Sequence, residues 1–257
     1  LPHNLFTENA LQVGATIEVL LLSVALAERL NEERQERRRV QARLLTEQRS
    51  LTEAYARFVP IEFMRLLGKR KITDIQLGDH REMRMTILFS DVRSFTTIAE
   101  SLTPRDTFML LNEYLGRMAP VIAKHGGYVD KYMGDGIMAL FPADSNQAVA
   151  ASADMHQTLI AWNAERRAKG LFMLEIGVGL NTGDMMVGTI GAAGRMEGTV
   201  ISDCVNTASR IESLNKLYGT AVLLSESTFR TIPESHRYNF RLLDRVRVKG
   251  KSEPVML

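Results

Sequence analysis

Residues 86–97 read TILFSDVRSFTT and residues 131–141 read KYMGDGIMALF. Each is a short apolar run broken by one aspartate, Asp91 in the first and Asp135 in the second. Runs of this length read as buried strands, and an unpartnered carboxylate desolvated at a strand end costs several kcal/mol or more. Taken singly, Asp91 reads as a helix cap and Asp135 as a turn residue. Taken together they point to a shared cation, and oxygen-only ligands suit Mg²⁺ or Mn²⁺. Asp135 stands between Gly134 and Gly136, which suits a tight turn where backbone comes close to a ligand.

The rest of the chain bounds what these two runs belong to. It has 257 residues, 45% hydrophobic and 24% charged, with a formal net charge of +2, enough for one sizeable core with attachments. Basic residues cluster at 34–43, 65–71 and 241–251 without interleaved aromatics, too weak a pattern for a nucleic-acid binder. The one cysteine, Cys204, allows no intrachain disulfide and fits a reducing compartment. Five scattered histidines lack zinc-ligand spacing.

Residues 10–27, ALQVGATIEVLLLSVALA, form the most apolar long run, and an arginine-rich stretch comes directly after it. That pattern predicts a membrane helix over residues 1–27, with residues 28–257 on the cytoplasmic side of a cell (inner) membrane. Residues 28–61 lack Gly and Pro before Pro60 and predict one long helix. Leu30, Arg37, Leu44, Leu51 and Phe58 recur every seven residues beside Leu26, Glu33, Val40, Glu47, Ala54 and Ile61. This is a coiled-coil seam carrying charges. Residues 62–77 read as a connector beginning with a short helix, and the globular domain spans 78–257.

Within that domain the expected strands are 85–90, 128–133, 137–141, 174–181, 185–190, 221–224 and 240–248, with a turn at Thr182-Gly183-Asp184. The expected helices are 94–100, 104–125, 146–169 and 203–217. The order predicts an α+β fold, a mainly antiparallel sheet with helices on one face. VGTIG at 187–191 lacks the spacing of a dinucleotide fingerprint and reads as a bend on a strand edge. GKS at 250–252 is a P-loop fragment without its first glycine.

FSDVRSFT, KYMGDGIMALF, VGTIG and VNTASRIE occur in this order, and together they resemble the catalytic domain of class III nucleotidyl cyclases over roughly the last two-thirds of the chain. The segment before them resembles the last helix of bacterial seven-helix membrane sensor modules. The resemblance implies a ferredoxin-like core related to polymerase palms, behind a coiled-coil helix and a membrane helix. It implies a homodimeric adenylate cyclase, output domain of a membrane receptor, that makes 3′,5′-cyclic AMP and pyrophosphate from ATP with two Mg²⁺ or Mn²⁺ ions per site.

By that resemblance Asp91, Asp135 and the Val92 carbonyl ligate the metals, Asn206 orients the ribose, and Arg210 stabilises charge on the α-phosphate. Lys131 and Thr199 select the base, and Lys249 or Lys251 reaches the β- or γ-phosphate. A lysine donor suits adenine N1, an acceptor, whereas guanine N1 carries a hydrogen. The family also places the metal aspartates of one subunit opposite the Lys, Thr, Asn and Arg of the other. Two residues depart from its pattern. Gly198 replaces an aromatic and is expected to loosen the base pocket, and Ser202 replaces a glycine and is expected to reshape the loop before Asn206. The rival readings are a guanylate cyclase and a catalytically silent dimerisation or regulatory module.

Overall fold

In a computed structural model of the chain, residues 5–56, 61–192, 194–233, 237–247 and 254–257 are described. Two compact units divide it, residues 1–58 and 59–257. The first unit is one helix, α1 (Leu5–Ala56), unbroken for 52 residues. Leu26, Leu30, Val40, Leu44 and Leu51 of the seven-residue series are all exposed on it, while Phe58 lies outside the described residues. Arg43 and Glu47 pair one turn apart at 3.1 Å. Among the described residues no helix is long and apolar enough to cross a membrane. The membrane helix expected over residues 1–27 falls partly outside the described residues.

The second unit begins with α2 (Ile61–Leu66) and is built on a six-stranded sheet. Its strands are β1 (His80–Val92), β2 (Tyr128–Met133), β3 (Gly136–Phe141), β4 (Ile176–Ala192), β5 (Arg195–Ile201) and β6 (Val222–Leu224). The order is β2-β3-β1-β4-β5, antiparallel throughout, with β6 added parallel to the first half of β4. Helices α3 (Phe95–Glu100), α4 (Pro104–Lys124), α5 (Ser145–Ala168), α6 (Asp203–Tyr218) and α7 (Glu226–Phe229) complete it, with a small ladder of β7 (Arg245–Val246) and β8 (Val255–Met256). This is the expected α+β architecture with three corrections to its strands, the first being β5, which the sequence reading did not include. The 240–248 strand shrinks to β7, because Phe240 packs edge-to-face on Phe229 at 5.3 Å instead of joining a ladder. The 174–181 and 185–190 strands are a single strand.

No turn forms at 182–184 because β1 pairs with β4 residue by residue from His80↔Gly188 to Val92↔Ile176. Thr86 and Thr182 share a hydroxyl hydrogen bond of 2.9 Å, and Arg84 reaches Asp184 at 3.3 Å. The other edge of β4 serves β6 first and β5 later, which keeps 17 residues extended. VGTIG likewise lies inside this strand rather than on a loop.

Both faces of the sheet are covered, not one. Leu88, Ile137, Ala139 and Phe141 pack with Tyr114, Met118 and Ile122 of α4 and Met155 and Trp162 of α5. On the opposite face Ile87, Phe89, Met138, Leu140, Met185 and Val187 pack with Phe63 of α2 and Ala208 of α6. Burial on two faces explains the near-continuous hydrophobicity of the central strands.

Residues 177, 179, 181 and 183 of β4 share the face on which α6 lies. A Cβ on Gly177 would meet the Glu212 and Asn215 side chains, and one on Gly183 the Cys204 sulfur. Asn181 Nδ2 donates to the Cys204 carbonyl at 3.1 Å. Four helical residues rise about 6 Å and two strand residues about 6.6 Å, so helix and strand stay in step. A Cβ on Gly179 would stand 2.6 Å from the Ala208 carbonyl oxygen and against the Glu212 amide. These are backbone atoms, so Gly179→Ala must displace α6. We expect it to lower stability by about 3 kcal/mol, read as a denaturant midpoint. Gly194→Ala, where a Cβ meets nothing within 4 Å, should change stability by less than about 0.5 kcal/mol.

Candidate active site

β1 ends by delivering Asp91 to the open end of the sheet, opposite Gly177 of β4. The β2–β3 hairpin delivers Asp135. Met133 pairs with Gly136, leaving a two-residue turn in which Gly134 takes φ 66°, a conformation glycine adopts without strain. The two aspartates come together. The Val92 amide donates to Asp135 Oδ2 at 3.2 Å, and Asp135 is near enough to Asp91 to help raise its carboxyl. Just beyond, Ser94 holds φ 55°, the one non-glycine positive φ among the described residues, where the chain bends from β1 into α3.

Asp91 is open on its cleft side, yet burial of its carboxyl, with Asp135 and Glu212 adding, pushes it up to about 7. Burial also raises Glu212, opposed by Arg93 and reinforced by Asp135. The cations nearby face other partners: Arg93 donates to the Thr220 carbonyl and lies 3.9 Å from Glu175. Lys131 lies 3.7 Å from Asp130 and 3.6 Å from Glu197.

Two adjacent carboxylates without a cationic side chain between them fit a hard divalent ion. Among the described residues no group of three or more His, Cys, Asp or Glu side chains is placed to hold a metal.

Asp91, Lys131, Asn206 and Glu212 line one cleft of about 470 Å³, walled by Phe89 and Val200. Lys131 Nζ donates to Thr199 Oγ1 at 3.3 Å, and Thr199 is buried. Asn206 is exposed near the start of α6, whereas Arg210, one turn on, is half-buried and does not line the cleft. Lys249 and Lys251 lie outside the described residues.

Ser202 corrects one sequence expectation. Its backbone is extended, with φ −168°, and its hydroxyl caps α6 by accepting from the Cys204 amide, so the position asks nothing that only glycine can give. Gly198 corrects the other, since the room beside it is filled by the Phe63 ring.

The residues that sequence reasoning missed are Glu212, Glu197 and Tyr114. The Tyr114 hydroxyl is 3.4 Å from Ser90 Oγ; burial first, then the Asp135, Asp91 and Glu212 charges, hold it far above its ordinary range. Glu212 was visible in VNTASRIE but carried no signal until α6 was seated on β4.

Residues 78–257 match the adenylate and guanylate cyclase catalytic domain. The chain belongs to this family. An adenylate cyclase of Anabaena cylindrica is 39% identical over 211 residues, 80% of this chain and 42% of that protein. The chain thus spans about two-fifths of that relative's length. Among solved structures, the adenylyl cyclase CyaB of P. aeruginosa aligns with a TM-score of 0.63 at 34% identity, over 69% of this chain and 93% of that one. The guanylyl cyclase Cya2 aligns at 0.59 and 37% identity, over 70% and 92%. The cyclase domain therefore has relatives of both base specificities.

Proposed function

We propose that this cyclase domain is an adenylate cyclase, joining the 3′-hydroxyl of ATP to its α-phosphate with loss of pyrophosphate, and that it works as a homodimer with two shared sites. The observation that carries the choice of base is the Lys131–Thr199 pair, 3.3 Å apart. The lysine donates to adenine N1, and the threonine hydroxyl accepts from the 6-amino group.

Asp91, Asp135 and the Val92 carbonyl would hold Mg²⁺ or Mn²⁺, whose chemistry when bound is to acidify the attacking hydroxyl and offset charge on the departing phosphates. Asn206 orients the ribose. Arg210, permanently charged and able to fork onto two oxygens, stabilises the charge that grows on the α-phosphate. Lys249 or Lys251 meets the outer phosphates. Pairing of two chains is supported by the exposed Leu30, Val40, Leu44 and Leu51 of α1, at a spacing that suits a two-helix seam.

A guanylate cyclase is the second reading. Glu197, 3.6 Å from Lys131, would accept from guanine N1 and its 2-amino group. Cyclase assays with ATP and GTP side by side, each with Mg²⁺ and Mn²⁺, decide between them. We expect Lys131→Ala to lower kcat/KM for ATP about a hundredfold and that for GTP much less. Equal losses on both nucleotides would remove Lys131 from base recognition.

A further inference from the structure

Gly198 of β5 pairs with Thr189 of β4 and has an ordinary backbone, since it is not among the glycines of positive φ. Any residue would suit its dihedral angles. What excludes a side chain there is Phe63. An ideal Cβ on Gly198 would stand 2.7 Å from Phe63 Cζ, 2.8 Å from Cε1 and 3.1 Å from Cε2. The ring is 3% exposed and packs with Tyr128, Met138 and Val200, so it has nowhere to retreat.

The two neighbours of Gly198 are Glu197 and Thr199, and both reach Lys131, at 3.6 Å and 3.3 Å. Successive side chains of a strand point to opposite faces. Glu197 and Thr199 therefore share the face that meets Lys131, and the Phe63 ring backs the strand between them from the other side. A ring carried by α2, ahead of the residues that match the cyclase family, thus stands directly behind the pair that reads the base.

We propose that Phe63 is the positioning residue of the base pocket. Its ring supplies from α2 the bulk that Gly198 lacks, and so fixes how far Thr199 stands from Lys131. A fixed separation favours a purine with a 6-amino donor beside an N1 acceptor over one with a 6-carbonyl beside an N1 donor, because a slack site can re-form around either. This rests on the reading that Lys131 and Thr199 meet the purine.

The test uses the full chain and four variants, Phe63→Ala, Phe63→Leu, Phe63→Ala with Gly198→Phe, and Lys131→Ala, with kcat and KM for ATP and GTP and a thermal unfolding curve for each. Phe63→Ala should raise KM for ATP about tenfold and lower the ATP-to-GTP ratio of kcat/KM about tenfold, leaving kcat within about threefold. Phe63→Leu should fall between wild type and alanine. Returning the ring from the strand side, in the double variant, should restore the ratio to within about threefold of wild type.

A ratio unchanged in a folded Phe63 variant, parallel losses on both nucleotides, or a double variant no better than Phe63→Ala would each overturn the proposal. If Phe63→Ala fails to fold, the ratio in Phe63→Leu carries the same decision. If Lys131→Ala leaves the ratio unchanged, the base-pocket reading itself fails and the proposal falls with it. A ratio that moves in Lys131→Ala but not in folded Phe63 variants overturns the role of Phe63 alone.

Discussion

Asp91→Ala is expected to lower cyclase turnover by about a thousandfold or more, equivalent to about 4 kcal/mol of transition-state stabilisation, without lowering the stability of the metal-free protein. The two halves of this expectation have one cause. Asp91 and Asp135 are like charges brought together, with Glu212 near them, and among the described residues the nearby Arg93 and Lys131 pair with other groups. Such a pair works against the fold, and under the proposed function it serves an ion.

The pH dependence has a definite sign. Burial, with Asp135 and Glu212 adding, pushes the Asp91 carboxyl up to about 7, whereas an unfolded aspartate titrates near about 4. Between those values the folded chain holds a proton that the unfolded chain has released, so the stability of the metal-free protein falls as pH rises from about 4 to about 7. Asp91→Ala flattens that slope. Adding Mg²⁺ raises the unfolding temperature of the wild type near neutral pH and leaves that of Asp91→Ala unchanged. Calorimetric scans across pH, with and without Mg²⁺, check this. A variant that loses activity through loss of stability would mark Asp91 as a structural residue.

The second large effect is complementation. Chains carrying Asp91→Ala and chains carrying Arg210→Ala should each be nearly inactive alone. Mixed in equal amounts and allowed to exchange, they should recover about a quarter of wild-type activity, since about half of the dimers are mixed and each of those holds one complete site. Within one chain Asp91 lines the cleft and Arg210 does not, while Lys131 and Asn206 line it beside Asp91, so the mixing experiment and not the single chain decides how the sites are shared. Activity after mixing, with the mixed dimer verified by differential tags, is the measurement. No recovery in verified mixed dimers would mean that each chain carries a whole site.

How much of this was legible in the sequence depends on the range of the interactions. The aspartate-bearing ends of β1 and the β2–β3 hairpin were readable because apolar runs and a Gly-Asp-Gly turn are local signals. So was α4, which begins at Thr103-Pro104 with the threonine hydroxyl accepting from the Asp106 amide at 3.2 Å. The continuity of β4 was not. Thr182-Gly183-Asp184 looks like a turn, and only β1 alongside and the Cys204 sulfur above Gly183 make it strand. β5 was missed because RMEGTVI has no apolar alternation to read, its register being supplied by β4. The second covered face also escaped, as it depends on α2 and α6 arriving from distant parts of the chain.

At the site, Asp91, Asp135, Lys131, Thr199 and Asn206 were all legible in the sequence motifs, and the fold brings them together. The structure adds what sequence distance hid: Glu212 and Tyr114 in the field of the aspartates, Glu197 on Lys131, and Phe63 behind Gly198, 135 residues away.

Whether Asp91 and Asp135 hold divalent ions against a triphosphate is measured most directly in crystals grown with Mn²⁺ and a non-cyclisable ATP analogue. Anomalous scattering should place manganese between the two carboxylates and the phosphate oxygens, with the adenine beside Lys131 and Thr199. An ordered analogue with manganese elsewhere, or with the two carboxylates drawn apart, would contradict it.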